Sequence, residues 1–230
     1  MRNLYLRSRV AQWAVAVALL LVGAVSIRAA LPLVRGPFSL LLIPFFFSFA
    51  QISVAPLFRL VGLYRYHSAM LKVTIRTTRV YEIHGGTPFD YVLHLRWRDR
   101  GAPAARRILV SYLEGLLDIA DCVARGELPG SIRITGTSYF FREASARRLG
   151  FALEPPSLRL RANLFLHLFD LTLLYSFARG RWALPPVWRT HNAVISGSGL
   201  LERRSSIDAM IRLLGGHSTG ADESRAALCA

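Results

Sequence analysis

The chain has 230 residues, of which 53% are hydrophobic and 19% are charged. This composition excludes an intrinsically disordered chain, and it contains less charge than the ~25% of an ordinary soluble domain. The formal net charge is +15, from 29 basic and 14 acidic residues. Residues 1–81 hold ten basic residues and no acidic one, so most of the excess lies beside the most apolar segments. The charge therefore indicates a membrane surface, and no nucleic-acid partner is predicted.

Two uncharged runs near the N-terminus, residues 10–27 and 37–58, contain 18 and 22 residues. A helix of about 20 apolar residues spans the hydrocarbon core of a bilayer, so both runs qualify as transmembrane helices. The linker between them, residues 28–36, is too short to hold a domain. We therefore expect residues 1–60 to form an antiparallel transmembrane hairpin.

The flanking charge predicts the orientation of this hairpin. Three arginines precede the first run and five basic residues follow the second by residue 79, whereas the linker holds two. Under the positive-inside rule both termini are cytoplasmic, as in a multi-pass protein of a bacterial inner membrane. The alternative is a cleaved signal peptide, but the first apolar run exceeds the usual ~7–15 residues and a second run follows closely.

Residues 66–214 carry strand and helix patterns in turn, and they predict a membrane-associated cytoplasmic α/β domain of the α+β type. Residues 72–84 and 90–98 alternate apolar and polar side chains on either side of the turn sequence HGGTP. The other predicted strands are 131–141, 151–154 and 193–196, and the predicted helices are 104–125, 142–149 and 200–214. Residues 215–230 form a polar tail that we expect to be disordered.

A third apolar stretch, residues 162–178, contains Asn163, His167 and Asp170. If it crossed the membrane, the arginines after it would lie outside, and a central Asp would cost about 2.5–3.5 kcal/mol. We therefore expect a helix that lies in the membrane interface or is buried against the sheet. Six arginines near the apolar segments are the predicted contacts with anionic headgroups: Arg59, Arg65, Arg159, Arg161, Arg179 and Arg181.

Two sets of polar residues are candidate sites. If the strands on either side of HGGTP pair, then His84, Asp90 and His94 share one face, where two imidazoles and a carboxylate could bind a divalent metal or act as acid and base. The alternative is structural, with His84 and Asp90 bonded to the local backbone and His94 facing solvent. Asn163, His167 and Asp170 lie on one helix face and could meet a headgroup or a partner, or form a buried polar stripe.

The two cysteines, Cys122 and Cys229, are far apart and have no neighbours at the spacing of a metal motif. They predict neither a disulfide framework nor a zinc motif, and they fit a reducing compartment. The sequence indicates no cofactor.

These features favour a membrane-anchored accessory or scaffold protein, because a large anchored surface is combined with no recognisable catalytic motif. The alternative is a membrane-bound enzyme that acts on a lipid-linked or headgroup-proximal substrate. The expected partners are a bilayer with anionic headgroups and another membrane protein.

Overall fold

The computed structural model describes residues 8–30, 32, 39–75, 80–138 and 143–215. Two long apolar helices come first, α1 (Arg9–Ala30) and α2 (Ser39–Leu60). By length and composition both could cross a membrane, and only 11% and 22% of their most apolar stretches are buried inside the protein. The prediction of two long apolar helices is confirmed. Residues 216–230 of the predicted tail, including Cys229, and the linker arginine Arg35 lie outside the described residues.

Helices α1 and α2 pack against each other through small side chains. Ala16 and Gly23 of α1 and Ala55 of α2 are buried. A Cβ atom at Gly23 would lie 2.5 Å from Ser53 Oγ and 2.7 Å from Ser53 Cβ, so a larger residue would collide with the Ser53 side chain. Close packing of small residues is the usual basis of helix association in a bilayer, where apolar burial supplies no driving force.

The remainder of the chain contains an open six-stranded sheet with the strand order β1-β2-β3-β4-β6-β5. The strands are β1 (Arg65–Tyr66), β2 (Leu71–Ile75), β3 (Val80–Gly85), β4 (Arg133–Ser138), β5 (Ala152–Glu154) and β6 (His191–Ser196). Strands β3 and β4 pair in parallel, and the other neighbours pair antiparallel. The mixture of helices with this sheet confirms the α+β class.

Seven α-helices accompany the sheet in the described residues: α3 (Pro88–His94), α4 (Ala102–Ala124), α5 (Glu143–Arg148), α6 (Leu158–Leu166), α7 (Leu168–Arg179), α8 (Gly197–Glu202) and α9 (Arg204–Leu213). One sheet face carries Leu71, Tyr81 and Ile134 into a core with apolar residues of α4, α8 and α9. Gly115 allows α4 to approach β2, because a Cβ there would lie 2.7 Å from the Leu71 Cβ atom.

The predicted strand over residues 90–98 is wrong. Residues 88–94 form the helix α3, and Thr87 and Asp90 build a capping box at its start, with Pro88 in the first turn. These residues are strong helix-start signals, and they outweigh the apolar alternation that follows. The predicted helix over 162–178 is divided at His167 into α6 and α7, and the predicted helix over 200–214 is divided at Arg203 into α8 and α9.

A second core joins α3, α4 and α7, with Met70, Ile108 and Leu174 among its buried members. Helix α7 also contacts α2. The rings of Phe45 and Phe169 meet edge to face with centroids 5.1 Å apart. The sheet domain is therefore packed directly on the second apolar helix.

Candidate functional site

The sheet face opposite the α4 core is polar and borders a large cavity. Because side chains alternate along a strand, this face carries the residues between the core positions. The cavity measures about 1170 Å³. Its polar side is formed by Lys72, Thr74, Glu82, His84, Arg133, Thr135, Thr137 and Asn192. Its apolar side is formed by leucines of α6 and α7 (Leu160, Leu164, Leu171 and Leu174), and α2 contributes Gln51 and Phe58.

Lys72 is a buried cation on the wall of this cavity, with only 4% of the residue exposed. Its Nζ lies 3.6 Å from the centroid of the Tyr64 ring, and among the described residues it makes no hydrogen bond. Burial lowers the pKa of Lys72 to about 8, against the opposing effect of the Asp90 and Asp170 carboxylates. The side chain therefore remains mostly charged at neutral pH, although it has lost nearly all contact with water.

Asp90 occupies the centre of a buried cluster that joins α2, β1 and α3. It is fully buried, and its Oδ2 accepts hydrogen bonds from the Thr87 backbone N–H at 2.7 Å and the Thr87 hydroxyl at 2.8 Å. The Tyr66 hydroxyl donates to the same carboxylate at 3.2 Å. Arg59 Nη1 lies 3.9 Å from Asp90 Oδ1, and its guanidinium covers the Tyr66 ring at 4.7 Å. Burial, with Asp90 as a lesser cause, raises the pKa of Tyr66, so the phenol stays protonated and can donate.

The structure does not bring His84, Asp90 and His94 onto one strand face. His84 lies on the polar face of β3, with its Nε2 3.9 Å from Glu82 Oε1, and it borders the cavity. Asp90 and His94 lie one turn apart on α3 instead. Among the described residues, these three do not form a group within metal-ligand reach, whereas another group does. The Asp90 carboxylate is occupied by the hydrogen bonds that hold α3 in place.

Asn163, His167 and Asp170 all border the cavity. His167 Nδ1 lies 3.3 Å from Asp170 Oδ2, and the Ser48 hydroxyl of α2 donates to Asp170 Oδ1 at 3.0 Å. Asp170 is only 4% exposed, and the Phe47 ring packs against the His167 ring. This polar set therefore connects the break between α6 and α7 to the middle of α2.

The six arginines predicted to contact headgroups have different surroundings. Arg59 belongs to the buried Asp90 cluster, and Arg65 pairs with Glu127 at 3.6 Å. Arg179 is exposed and lies over the ring of Tyr175, whose hydroxyl accepts a hydrogen bond from it. The other three, Arg159, Arg161 and Arg181, are also exposed.

The exposed aromatic side chains were not anticipated from the sequence as a set. All four tryptophans, Trp13, Trp97, Trp182 and Trp188, are between 46% and 77% exposed. Trp97 packs against Phe177 near the end of α7, and Gly101 donates a backbone hydrogen bond to the Phe177 carbonyl. Exposed leucines and phenylalanines lie on α6 and α7 themselves: Leu158, Phe165, Phe169 and Leu173.

Sequence reasoning also missed Lys72 as a site residue, because it was counted only among the charges that follow the hairpin. A signal was present: it is the only lysine in the chain, and it occupies a polar position in a β-branched strand. Comparison with known proteins adds no relative, since no family model matches the chain and neither a curated protein nor a solved structure matches it.

Proposed function

We propose that this protein is a membrane-anchored accessory protein that binds an amphiphilic molecule with an anionic head in the cavity between its sheet and helices α6–α7. In this proposal α1 and α2 span a bacterial inner membrane as a hairpin with both termini cytoplasmic. Two observations support the anchor. The two helices are apolar and mostly unburied, and the tryptophans are exposed, as is typical of side chains at a membrane–water interface.

The observation that carries the ligand proposal is the buried Lys72 ammonium on the cavity wall. A buried cation is costly unless it meets an opposite charge or hydrogen-bond acceptors. Here the ammonium contacts the Tyr64 ring and is attracted electrostatically by the Asp90 and Asp170 carboxylates. An anionic head at Lys72 would supply the missing acceptors. The leucines of α6 and α7 line the same cavity, so an apolar tail finds a matching wall. Because α2 forms part of the lining, the ligand has a route from the bilayer.

The test uses the full chain purified in mild detergent. Solvent extraction and mass spectrometry should identify a co-purifying anionic lipid, and a fluorescent long-chain fatty acid and phosphatidylglycerol should compete for the site. If the head is a carboxylate, the fatty acid binds more tightly; if it is a phosphate, phosphatidylglycerol does. The Lys72→Met variant should bind either probe at least about tenfold more weakly, which is about 1.4 kcal/mol.

The matched control is Arg212→Met, which removes an exposed cation on α9 that pairs with Asp208 far from the cavity lining. It should bind both probes as the wild type does. Equal binding by the wild type and Lys72→Met, or no binding by either, would contradict the proposed site. Leu171→Trp, which narrows the apolar wall, should weaken binding of the longer probes first.

A second candidate is a membrane-bound enzyme acting on a lipid-linked substrate. The observation in its favour is that Lys72 has its pKa lowered by burial to about 8, in a cavity that also holds the paired His167 and Asp170. An amine that loses its proton near neutral pH can act as a base or nucleophile. Turnover of a bound lipid by the wild type, abolished in Lys72→Arg although that variant still binds, would favour the enzyme over the accessory protein.

A further inference from the structure

A second cluster of chemically active side chains lies near the α4 core, outside the cavity lining. His67 follows β1 in the turn that leads to β2, while Asp118 and Cys122 lie one turn apart on α4. The His67 side chain is almost fully buried, and so is Cys122. One ligand atom from each of the three residues lies within 4.8 Å of the other two. His67 is 51 positions from Asp118 in the sequence, so no spacing motif could have indicated this group.

The ring of His67 is held in one orientation by its neighbours. Its Nε2 lies 2.6 Å from the Tyr81 hydroxyl, and its Nδ1 lies 2.8 Å from Asp118 Oδ2. Burial raises the pKa of Tyr81 to about 12, so its hydroxyl keeps its proton. A histidine ligand needs such a partner on its other nitrogen, because that hydrogen bond sets the tautomer and aims the ring. Here the partnered nitrogen is Nε2, and Nδ1 is directed at the carboxylate.

The thiol of Cys122 is not a nucleophile in this setting. Burial raises its pKa to about 11, and the Asp118 and Glu127 carboxylates add to the effect. A buried thiol in such surroundings is unreactive at neutral pH. A cation placed among these groups would reverse the situation, because a coordinating thiol loses its proton outright.

We propose that His67 Nδ1, a carboxylate oxygen of Asp118 and the thiolate of Cys122 bind one Zn²⁺ ion, with a water molecule as the fourth ligand. Nitrogen, sulfur and carboxylate oxygen are the ligands that zinc takes in tetrahedral sites. The charges also balance, since one thiolate and one carboxylate neutralise the ion inside the fold. Glu127, Arg65 and Arg125 border the cluster: both arginines pair with Glu127, and Arg125 Nη2 also donates a hydrogen bond to Cys122 Sγ at 3.4 Å.

Binding of Zn²⁺ displaces a proton from the cysteine of the cluster. The Cys122 thiol gives up one proton to solvent as the S–Zn bond forms. In the bound state Nδ1 is the ligand atom, so the imidazole would carry its hydrogen on Nε2, where the Tyr81 hydroxyl can accept it. The ion would tie the β1–β2 turn to α4, so its role is to stabilise the fold, and it is independent of the ligand proposed for Lys72.

The experiment begins with the wild-type protein in detergent, stripped with a chelator and loaded with Zn²⁺ or Co²⁺. We expect one metal ion per chain and a thiolate-to-cobalt charge-transfer band in the near ultraviolet. Thermal unfolding should shift to a higher temperature on addition of zinc. Absence of stoichiometric metal, or a cobalt spectrum without the thiolate band, would overturn the proposal whatever the fate of any variant.

Variants then assign the ligands. Cys122→Ser should lose the charge-transfer band, and Asp118→Asn should lose stoichiometric zinc. Tyr81→Phe keeps all three ligands but removes the partner of Nε2, so its zinc affinity should fall about 10–100-fold. The control His191→Ala changes an exposed histidine at the start of β6 and should keep full zinc. Lys72→Met should also keep zinc while losing the anionic probes, which separates the failure of this site from the failure of the proposed function.

Discussion

Lys72 is the only lysine of this chain. Its side chain is buried, and a buried charge is costly because it has lost its contact with water. Lysine differs from the 28 arginines in one respect that matters here, because burial can move its pKa into the physiological range, whereas a guanidinium stays charged. The groups that act on it are known from the structure. Asp90 and Asp170 favour the charged form, Tyr64 covers the ammonium, and His84 is its cross-strand neighbour.

The lowered pKa of Lys72 predicts a pH-dependent affinity. Below about pH 8 the side chain is an ammonium ion, and above it the amine is neutral, so binding of an anionic probe should weaken as the pH rises from 7 to 9. Phosphatidylglycerol is the probe for this titration, because its phosphodiester stays ionised throughout this range. Lys72→Arg should retain its charge and give a flat profile over the same interval. A titration of probe binding at several pH values checks this, and identical profiles for both proteins would contradict the assignment.

The same pKa also predicts a change in stability. Because the folded-state pKa lies near 8 and the ordinary value is 10.5, the unfolded chain binds more protons between these values. Stability contributed by this site therefore rises as the pH increases through that interval, and the cost of the buried charge is fully present below it. Comparing the pH dependence of chemical unfolding for the wild type and Lys72→Met measures the effect, since the variant lacks it.

Asp90 makes a structural prediction at the same scale. Asp90→Ala removes the carboxylate half of the capping box of α3 and the partner of Arg59, so we expect a loss of about 3–5 kcal/mol, as for a broken buried ion pair. Asp90→Asn keeps an oxygen that can accept from Thr87 and should cost less. Asp208→Ala removes a surface carboxylate paired with Arg212 and should change stability by less than about 0.5 kcal/mol. Equal unfolding midpoints for Asp90→Ala and Asp208→Ala would refute the role assigned to Asp90.

At the scale of elements, α1 and α2 meet in a close contact at Gly23. Ala16 and Gly23 are seven residues apart and lie on one side of α1, where Gly23 faces Ser53. A residue larger than glycine at this contact must move a backbone or a short side chain, and neither can give way easily. The pairing of these helices therefore depends on the absence of a side chain at Gly23.

This contact predicts a compensating pair of substitutions. Gly23→Ala should destabilise the helix pair by about 1–3 kcal/mol, as is usual when a packed interior is overfilled. Adding Ser53→Gly removes the atoms that a new Cβ would meet and should restore most of the loss. Val25→Leu, at an exposed position of the same helix, is the control and should have little effect. Thermal unfolding in detergent measures all four proteins, and a failure of Ser53→Gly to rescue would show that the contact is not the cause.

The elements also show how far the sequence could be interpreted. The apolar runs and α4 were predictable, because long apolar stretches and a helical repeat of apolar residues are local signals. The strand over 90–98 was mispredicted because the Thr87–Asp90 capping box starts a helix at this segment, and this signal outweighs the apolar alternation that follows it. The approach of His67 to Cys122, and of Ser48 to Asp170, could not be predicted, since both depend on how distant segments pack.

At the scale of the molecule, exposed tryptophans lie on α1 (Trp13), beside α7 (Trp97) and in the loop after α7 (Trp182 and Trp188). In the proposed topology these tryptophans and the neighbouring arginines meet the headgroup region, while Phe165 and Phe169 on α6 and α7 face lipid. The hydrogen bond from Ser48 places α7 against the middle of α2. If α2 spans the membrane as proposed, these two short helices would lie deeper than an ordinary surface helix, and the domain would be partly embedded in the bilayer.

This arrangement predicts the depth of the tryptophans. In vesicles that contain brominated lipids, the fluorescence of single-tryptophan proteins retaining Trp97, Trp182 or Trp188 should be quenched, with the strongest quenching by bromine near the headgroups. A tryptophan introduced at Leu128, beside the α4–sheet core on the other side of the sheet, should be quenched least. Equal quenching at all positions, or none, would contradict the proposed contact with the bilayer.

The hydrogen bond between Ser48 and Asp170 also has a consequence for synthesis. Its two residues are separated by 122 positions in the chain. At about 5–20 residues per second, the ribosome takes roughly 6–24 s to make the second partner after the first. During that delay α2 would already lie in the membrane without the hydrogen bond from Ser48 to Asp170, which could form only after α7 has been made. In the proposed topology the hairpin would thus mature before the cavity can close.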